Sequence, residues 1–264
     1  MPQNILKKIL DVKQNEIAQA KQERPIERLL AELPAASTPR DFLSALINKP
    51  DIGLIAEIKY TSPSHGRPFR KDFDPVTIAQ LYEKHGAACI SCLTDQQFFG
   101  GSLEHLRAIR DVVSIPILRK DFLIDEYQVL EARVAGADCI LLIAECIDDD
   151  QKLKTLMKYA SELGMHSLVE VHHEDNLSRA LALEPQMLGV NSRNLENFKT
   201  DMDHVIELSR RVPTTTLFVG ESGIRSKSDV EKLQAAGVRA ILVGSVLMSA
   251  ENIGEKLDEL LAQS

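Results

Sequence analysis

From Leu54 onward, short continuous apolar runs alternate with longer stretches whose apolar residues recur at helical spacing. The runs start near Leu54, Ala88, Ile115, Asp138, His166, Met187, Thr216 and Ala240, so successive starts lie 34, 27, 23, 28, 21, 29 and 24 residues apart. Each interval is long enough for a strand, a loop, a helix and a return loop. The intervening stretches show the helical pattern, as in Val76-Ile78-Ala79-Leu81-Tyr82 and Val230-Leu233-Ala236. Four of them end in a glycine, at Gly86, Gly136, Gly164 and Gly237, which is a helix C-cap signal.

Strands that are apolar throughout belong in a parallel sheet covered by helices. Eight such units predict an α/β fold, a single (β/α)8 barrel of the TIM type. An open doubly wound sheet is the alternative, and it would place a glycine-rich turn after the first strand. The first strand here runs into Lys59-Tyr60-Thr61-Ser62-Pro63-Ser64 instead. Residues 1–48 read as an N-terminal helical extension packed on the barrel, and residues 49–264 as the catalytic barrel. In the extension, Ile5 to Gln22 is amphipathic, with Ile5, Leu6, Ile9 and Leu10 on one face and many Lys and Gln opposite. Pro25 opens a shorter helix through Leu33. Thr38-Pro39-Arg40-Asp41 reads as a third helix start, with Thr38 as cap and Pro39 in the first position. The extension is expected to cover one mouth of the barrel.

Composition narrows the function classes. The chain has 264 residues and a net charge of −8, which argues against nucleic acid as a general partner. An anionic substrate would need a local cationic pocket against that global sign. No apolar run reaches the ~20 residues needed to span a bilayer. The opening Met1-Pro2-Gln3-Asn4 has no secretory apolar core, so a cytoplasmic protein is expected. With the chain ending soon after the eighth unit, no second catalytic domain is expected behind it. Cys89 and Cys92 spell C-x-x-C, but side chains three apart on a strand point to opposite faces and cannot chelate one ion. Cys139 and Cys146 read as core or loop thiols, and neither a disulfide nor a metal site is expected.

Charged residues recur where the strands stop. Glu57 and Lys59 end the first, Lys120 the third, Glu170 the fifth, Asn191 and Arg193 the sixth, and Glu221 the seventh. A charge beside a buried strand is costly unless it is paired or used. Alternation puts Ile55, Glu57 and Lys59 on one face of the first strand and Leu54, Ala56 and Ile58 on the other. The fully apolar set should meet the helices, which turns Glu57 and Lys59 into the barrel near its C-terminal mouth. The same logic groups Leu118 with Lys120, Leu168 with Glu170, and Gly189 with Asn191 and Arg193. Barrels of this kind carry their chemistry on that face. Two glycine-bearing loops follow the seventh and eighth strands, Gly220-Glu221-Ser222-Gly223 and Val243-Gly244-Ser245. Their ordinal positions suit a phosphate held by backbone N–H groups.

Ordered along the chain, Leu54-Ile55-Ala56-Glu57-Ile58-Lys59 with Ser62-Pro63-Ser64, Leu118-Arg119-Lys120-Asp121-Phe122, Val169-Glu170-Val171-His172, Val190-Asn191-Ser192-Arg193-Asn194-Leu195 and Gly220-Glu221-Ser222-Gly223-Ile224 resemble the motifs of the indole-3-glycerol phosphate synthase family. The resemblance spans essentially the whole chain. It implies closure of the ring of an anilino-deoxyribulose 5-phosphate with loss of carbon dioxide and water, a step of tryptophan biosynthesis that uses no organic cofactor or metal. It also implies roles. Lys120 would be the principal general acid and Glu170 the general base. Lys59 would bind the substrate carboxylate or phosphate and serve as an acid itself. Glu57 would hold the lysines, and Asn191 would orient Glu57 or the substrate hydroxyls. Arg193 and Glu221 would complete the polar network. The phosphate would sit on Ser62, Ser222, Gly223, Gly244 and Ser245. Phe99 and Phe122 would flank the substrate's aromatic ring, with Leu141 beneath it. A lysine acts as an acid near neutral pH when burial or a cationic neighbour lowers its pKa, and convergence of Lys59, Lys120 and Arg193 is expected to do that.

The chain departs from the family pattern in two places. Ser192 stands where a second Asn is usual, and Tyr60-Thr61 replaces a basic pair, a loss of charge expected to weaken substrate binding. His65, His172 and His173 read as loop or surface residues. The expected partner is a small phosphorylated substrate, with no nucleic acid and no membrane, and the expected state is a monomer or weak homodimer. Two other readings remain at this point. A phosphoribosyl-type isomerase would share the phosphate loops without needing paired lysines and glutamates at strand ends. A catalytically silent barrel would keep Gly223, Gly244 and Ser245 but not Lys120 or Glu170.

Overall fold

In the computed structural model, which describes residues 5–193 and 200–262, the apolar runs form β1 (Gly53–Ile58), β2 (Cys89–Leu93), β3 (Ile117–Lys120), β4 (Cys139–Ile143), β5 (His166–Val171), β6 (Met187–Asn191), β7 (Leu217–Glu221) and β8 (Ala240–Val243). They pair in parallel and in chain order, and β8 pairs with β1 to close the barrel. Helices lie between the strands and cover them from outside. The four glycines that end helical stretches adopt φ from 78° to 94°, a region that costs a Cβ-bearing residue. β3 begins two residues later than Ile115 because Pro116 has no N–H and the Ile115 carbonyl accepts from the Arg40 guanidinium.

Strand alternation divides the core into two layers. Leu54, Ala56 and Ile58 pack outward with the helix side chains, whereas Ile55 packs inward with Leu118, Leu141, Leu168 and Val219. Cys89 belongs to the inner layer and Cys92 to the outer, so the C-x-x-C pair is split across the strand, and all four cysteines are free thiols.

The extension covers both mouths, not one. α1 (Ile5–Glu23) lies over the C-terminal ends of β2 and β3, where Lys13 pairs with Asp95 and Asp121. α2 (Ile26–Glu32) packs against the helix Glu126–Ala135. α3 (Phe42–Ile47) closes the opposite end, inserting Phe42 and Leu46 among Cys89, Cys139 and Ala240 at the strand starts. Full burial of a side chain of this size contributes roughly 1.5–3 kcal/mol. The expected cap at Thr38 is corrected. Asp41 caps α3, accepting from the Ser44 N–H. The preceding residues are drawn out across the barrel floor: Arg40 N–H donates to Asp138, and the Thr38 carbonyl accepts from Arg110. No helix among the described residues is long and apolar enough to cross a membrane.

Candidate active site

The strand-end charges meet in a cavity of about 390 Å³ at the C-terminal mouth. At its floor the Lys120 ammonium lies 2.8 Å from Glu170 Oε2 and 3.8 Å from Glu221 Oε2. The second oxygen of Glu170 accepts from the Asn191 amide at 3.4 Å, and His172 Nε2 lies 3.3 Å from it. Asn191 thus contacts Glu170, where the sequence had pointed to Glu57 or the substrate hydroxyls. Burial disfavours the charge on Lys120, but the carboxylates of Glu170, Glu221 and Glu57 outweigh it and hold the ammonium well above its ordinary pKa. The expected lowering is thus overturned. The other cations turn to partners of their own: Lys59 sits 2.6 Å from Glu57, and Arg193 reaches Ser64 on the loop after β1.

The two buried glutamates are driven apart. Burial alone would raise both; the charges of Lys120 and His172 bring Glu170 below the ordinary carboxylate range, whereas Glu221 is pushed up by burial and by the charge of Glu170. Glu221 Oε1 is buried and meets no donor among the described residues. Burial and the neighbouring charge thus both favour the protonated form of Glu221, beside an ionised Glu170.

Above the floor the walls divide by chemistry. Phe99 and Phe122 face one another with ring centroids 6.2 Å apart, and Leu141 lies on the same cavity surface. Across from them stand Ser62, Ser222, Gly223, Gly244 and Ser245. Gly244 precedes a helical turn, Ser245–Ser249, that lacks a side-chain cap. A Cβ at Gly244 would collide with the Glu57 carboxylate, so glycine is required for that approach. Ser222 takes a left-handed φ of 65°, rare for serine, which turns the loop after β7 toward the cavity.

The sequence profile of the indole-3-glycerol phosphate synthase family matches residues 6–260. The chain belongs to the indole-3-glycerol phosphate synthase family. It is therefore an enzyme, of a family of decarboxylating lyases in tryptophan biosynthesis. It is similar to the indole-3-glycerol phosphate synthase of Rhodopirellula baltica, with 46% identity over 258 residues that cover 98% of this chain and 99% of the relative. It is 48% identical to that of a Polaromonas species over 260 residues, covering 97% and 98% of the two chains. A solved 3-hexulose-6-phosphate synthase superposes with a TM-score of 0.63 at 17% identity, covering 79% of this chain and 98% of that one, a likeness of fold alone.

The residues expected to act on or bind the substrate, from Glu57 and Lys59 to Gly244 and Ser245, all line this one cavity. Asn194 and Leu195, the end of the sixth-strand motif, lie outside the described residues. Tyr60, in place of a usual basic residue, stacks edge-on against Phe73, with ring centroids 5.3 Å apart. Ser192 is buried, with its hydroxyl unpartnered among the described residues.

Other lining residues were not anticipated. Ile5, Leu6 and Ile9 of α1 form part of the wall, and Arg225 adds a cation beside Gly223. The apolar face of α1 was legible, but not the mouth that it covers. His172 corrects an expectation. It is no surface residue: its side chain is 4% exposed and sits between Glu170 and Glu145. His65 stacks on Phe69 at 4.1 Å, and His173 is exposed, as loop residues would be.

Proposed function

We propose that the cavity converts 1-(2-carboxyphenylamino)-1-deoxyribulose 5-phosphate into indole-3-glycerol phosphate, with Lys120 as acid and Glu170 as base. The ion pair between these two groups at the floor of a cavity with an aromatic wall and a glycine-lined wall carries the assignment. The anilino ring lies between Phe99 and Phe122 over Leu141. The phosphate lies on Ser62, Ser222, Gly223, Gly244 and Ser245, where backbone N–H groups and the first turn of Ser245–Ser249 offer donors. Arg193 and Lys59 supply the local positive charge that an anionic substrate needs in a chain of net charge −8.

The carboxyl-bearing aromatic carbon attacks the ribulose carbonyl carbon while Lys120 gives a proton to the carbonyl oxygen. Loss of carbon dioxide from the attacking carbon restores the aromatic ring. The new hydroxyl takes a second proton, from Lys59, and leaves as water. Glu170 receives the proton released as the five-membered ring becomes aromatic. Two protons enter and one returns, so the turnover consumes one proton along with the substrate carboxylate. Substrate entering between Lys120 and Glu170 separates the pair and releases Lys120 from the charge that keeps it a weak acid. Glu57 holds Lys59, Asn191 orients Glu170, and Glu221 stays protonated beside it.

The division into an extension of residues 1–48 and a catalytic barrel of residues 49–264, a cytoplasmic location, and a monomer or weak homodimer belong to the same reading. The chain has no Trp, so its own background is low in the test. Adding the carboxyphenylamino substrate to the folded protein is expected to produce indole fluorescence. No signal from folded wild type overturns the assignment.

A further inference from the structure

We propose that His172 is a positioning residue for the base, holding Glu170 from the side opposite Lys120 and held in turn by Glu145. The inference rests on Glu170 acting as the base.

The geometry is a chain of three buried groups. His172 Nε2 lies 3.3 Å from Glu170 Oε1, and its Nδ1 lies 3.4 Å from Glu145 Oε2. The ring is thus gripped at both nitrogens. The contact at Nδ1 has hydrogen-bond geometry, and the contact at Nε2 is one of charge, with the ring set against the Glu170 carboxylate. Glu145 belongs to the short turn after β4 and is itself fixed: Oε1 accepts from the backbone N–H of His172 at 2.8 Å, from that of His173 at 3.2 Å and from the Asn176 amide at 3.0 Å. Burial raises Glu145, but its bond to His172 and the charge of that ring outweigh this, so it stays an anion that anchors the imidazole.

This arrangement divides the work of the two Glu170 oxygens. Oε1 is occupied by His172 and Asn191, while Oε2 faces Lys120. The carboxylate cannot turn about its own axis without breaking contacts to two other elements. Oε2 is therefore the oxygen left to take a proton from substrate. The imidazole also lines the cavity, so it is near enough to the reacting groups to matter and sufficiently enclosed to be rigid. A ring that only filled space would need no carboxylate at each nitrogen.

The test compares three variants of the full chain by indole fluorescence at saturating and limiting substrate, with thermal melting as a folding control. His172→Ala is expected to lower kcat about tenfold or more with KM changed less than threefold, the effect of losing a close contact that holds the charged base in place. His172→Gln, whose amide can place an N–H near the position of Nε2, is expected to recover most of that loss. Glu145→Gln is expected to lower kcat in the same sense, and its combination with His172→Ala is expected to add little beyond His172→Ala alone. Wild-type kcat in folded His172→Ala overturns the proposal. So does a His172→Gln variant as slow as His172→Ala, or full additivity with Glu145→Gln. Glu170→Gln run alongside separates the two levels: if it turns over like wild type, the assignment of the base fails. If it is inactive while His172→Ala is not, only the role of His172 fails.

Discussion

Near the C-terminal mouth the buried Lys13 and the largely enclosed Lys120 are each held by carboxylates. Lys13, on α1, lies 3.0 Å from Asp95, 2.9 Å from Asp121 and 2.7 Å from Glu16. Lys120 lies 2.8 Å from Glu170 and 3.8 Å from Glu221. In both, burial opposes the charge and the neighbouring carboxylates win, lifting the pKa above the ordinary value. The difference lies in what the carboxylates do next. Asp95 also accepts the N–H groups of Phe98 and Phe99, and Asp121 accepts the Thr94 hydroxyl and the N–H groups of Phe122 and Arg119. That network ties α1 to the segments carrying both cavity phenylalanines, and the one Asp95 oxygen without a hydrogen bond among the described residues, Oδ2, faces the Lys13 ammonium at 3.0 Å. Around Lys120, Glu221 Oε1 has no donor among the described residues, burial and the charge of Glu170 push Glu221 toward its protonated form, and the group opens onto the cavity. Burial and pairing mark a lysine as constrained. Unfilled bonding capacity beside a cavity marks it as available for chemistry.

The comparison breaks first on stability. Lys13→Met leaves Asp95 and Asp121 buried without their common partner, and removal of one member of a buried pair costs about 3–5 kcal/mol. Because the same carboxylates set Phe99 and Phe122, KM should rise as well. Lys120→Met should cost clearly less stability, since its carboxylates can take up a proton and reach cavity water. Urea unfolding of both variants checks this, and the reverse order would contradict the contrast.

Acid gives a smaller and more specific effect. Burial raises Asp121, but Lys13 and Arg119 outweigh it and leave its folded pKa depressed. A depressed carboxylate contributes stability that is present above its unfolded value of about 3.9 and is lost as pH falls through the folded value. Wild type should therefore lose more stability than Lys13→Met between neutral pH and about pH 3. Equal acid limbs in the two unfolding curves would show that Lys13 does not hold Asp121 ionised.

The smallest effect belongs to the loop after β1. Tyr60 is 37% exposed and replaces a usual basic residue, with Phe73 and Gly100 as neighbours. Tyr60→Arg should lower KM a few-fold, as an exposed charge is worth at most about 1 kcal/mol. An unchanged KM would mean that Arg193 and Lys59 already supply the charge the phosphate needs.

Much of the barrel could be read from the chain because strand spacing and alternation are local signals. The strand starts fell within two residues of expectation, with the largest slip at Pro116. The inward turn of Glu57, Lys120 and Glu170 followed from period-two geometry, and the family motifs assigned their roles. What escaped was set by contacts between distant segments. Lys13 shares the buried face of α1 with Ile9 and Ile17, one turn to either side, and only the placement of Asp95 and Asp121 accounts for a charge there. His172 follows the fifth-strand motif directly, yet its partner Glu145 comes from the turn after β4. The charge state of Lys120 also depends on three glutamates from three other strands, which is why neighbouring cations did not decide it.

The most direct test of the central claim is a comparison of turnover and substrate affinity in Lys120→Ala. Single-turnover indole fluorescence over a range of substrate concentrations gives both the rate at saturation and the substrate affinity. The account predicts a loss of about 10²- to 10⁴-fold in rate, as for removal of a general acid, with affinity within a few-fold of wild type. Wild-type turnover in the folded variant, or a loss expressed entirely as affinity, would contradict it.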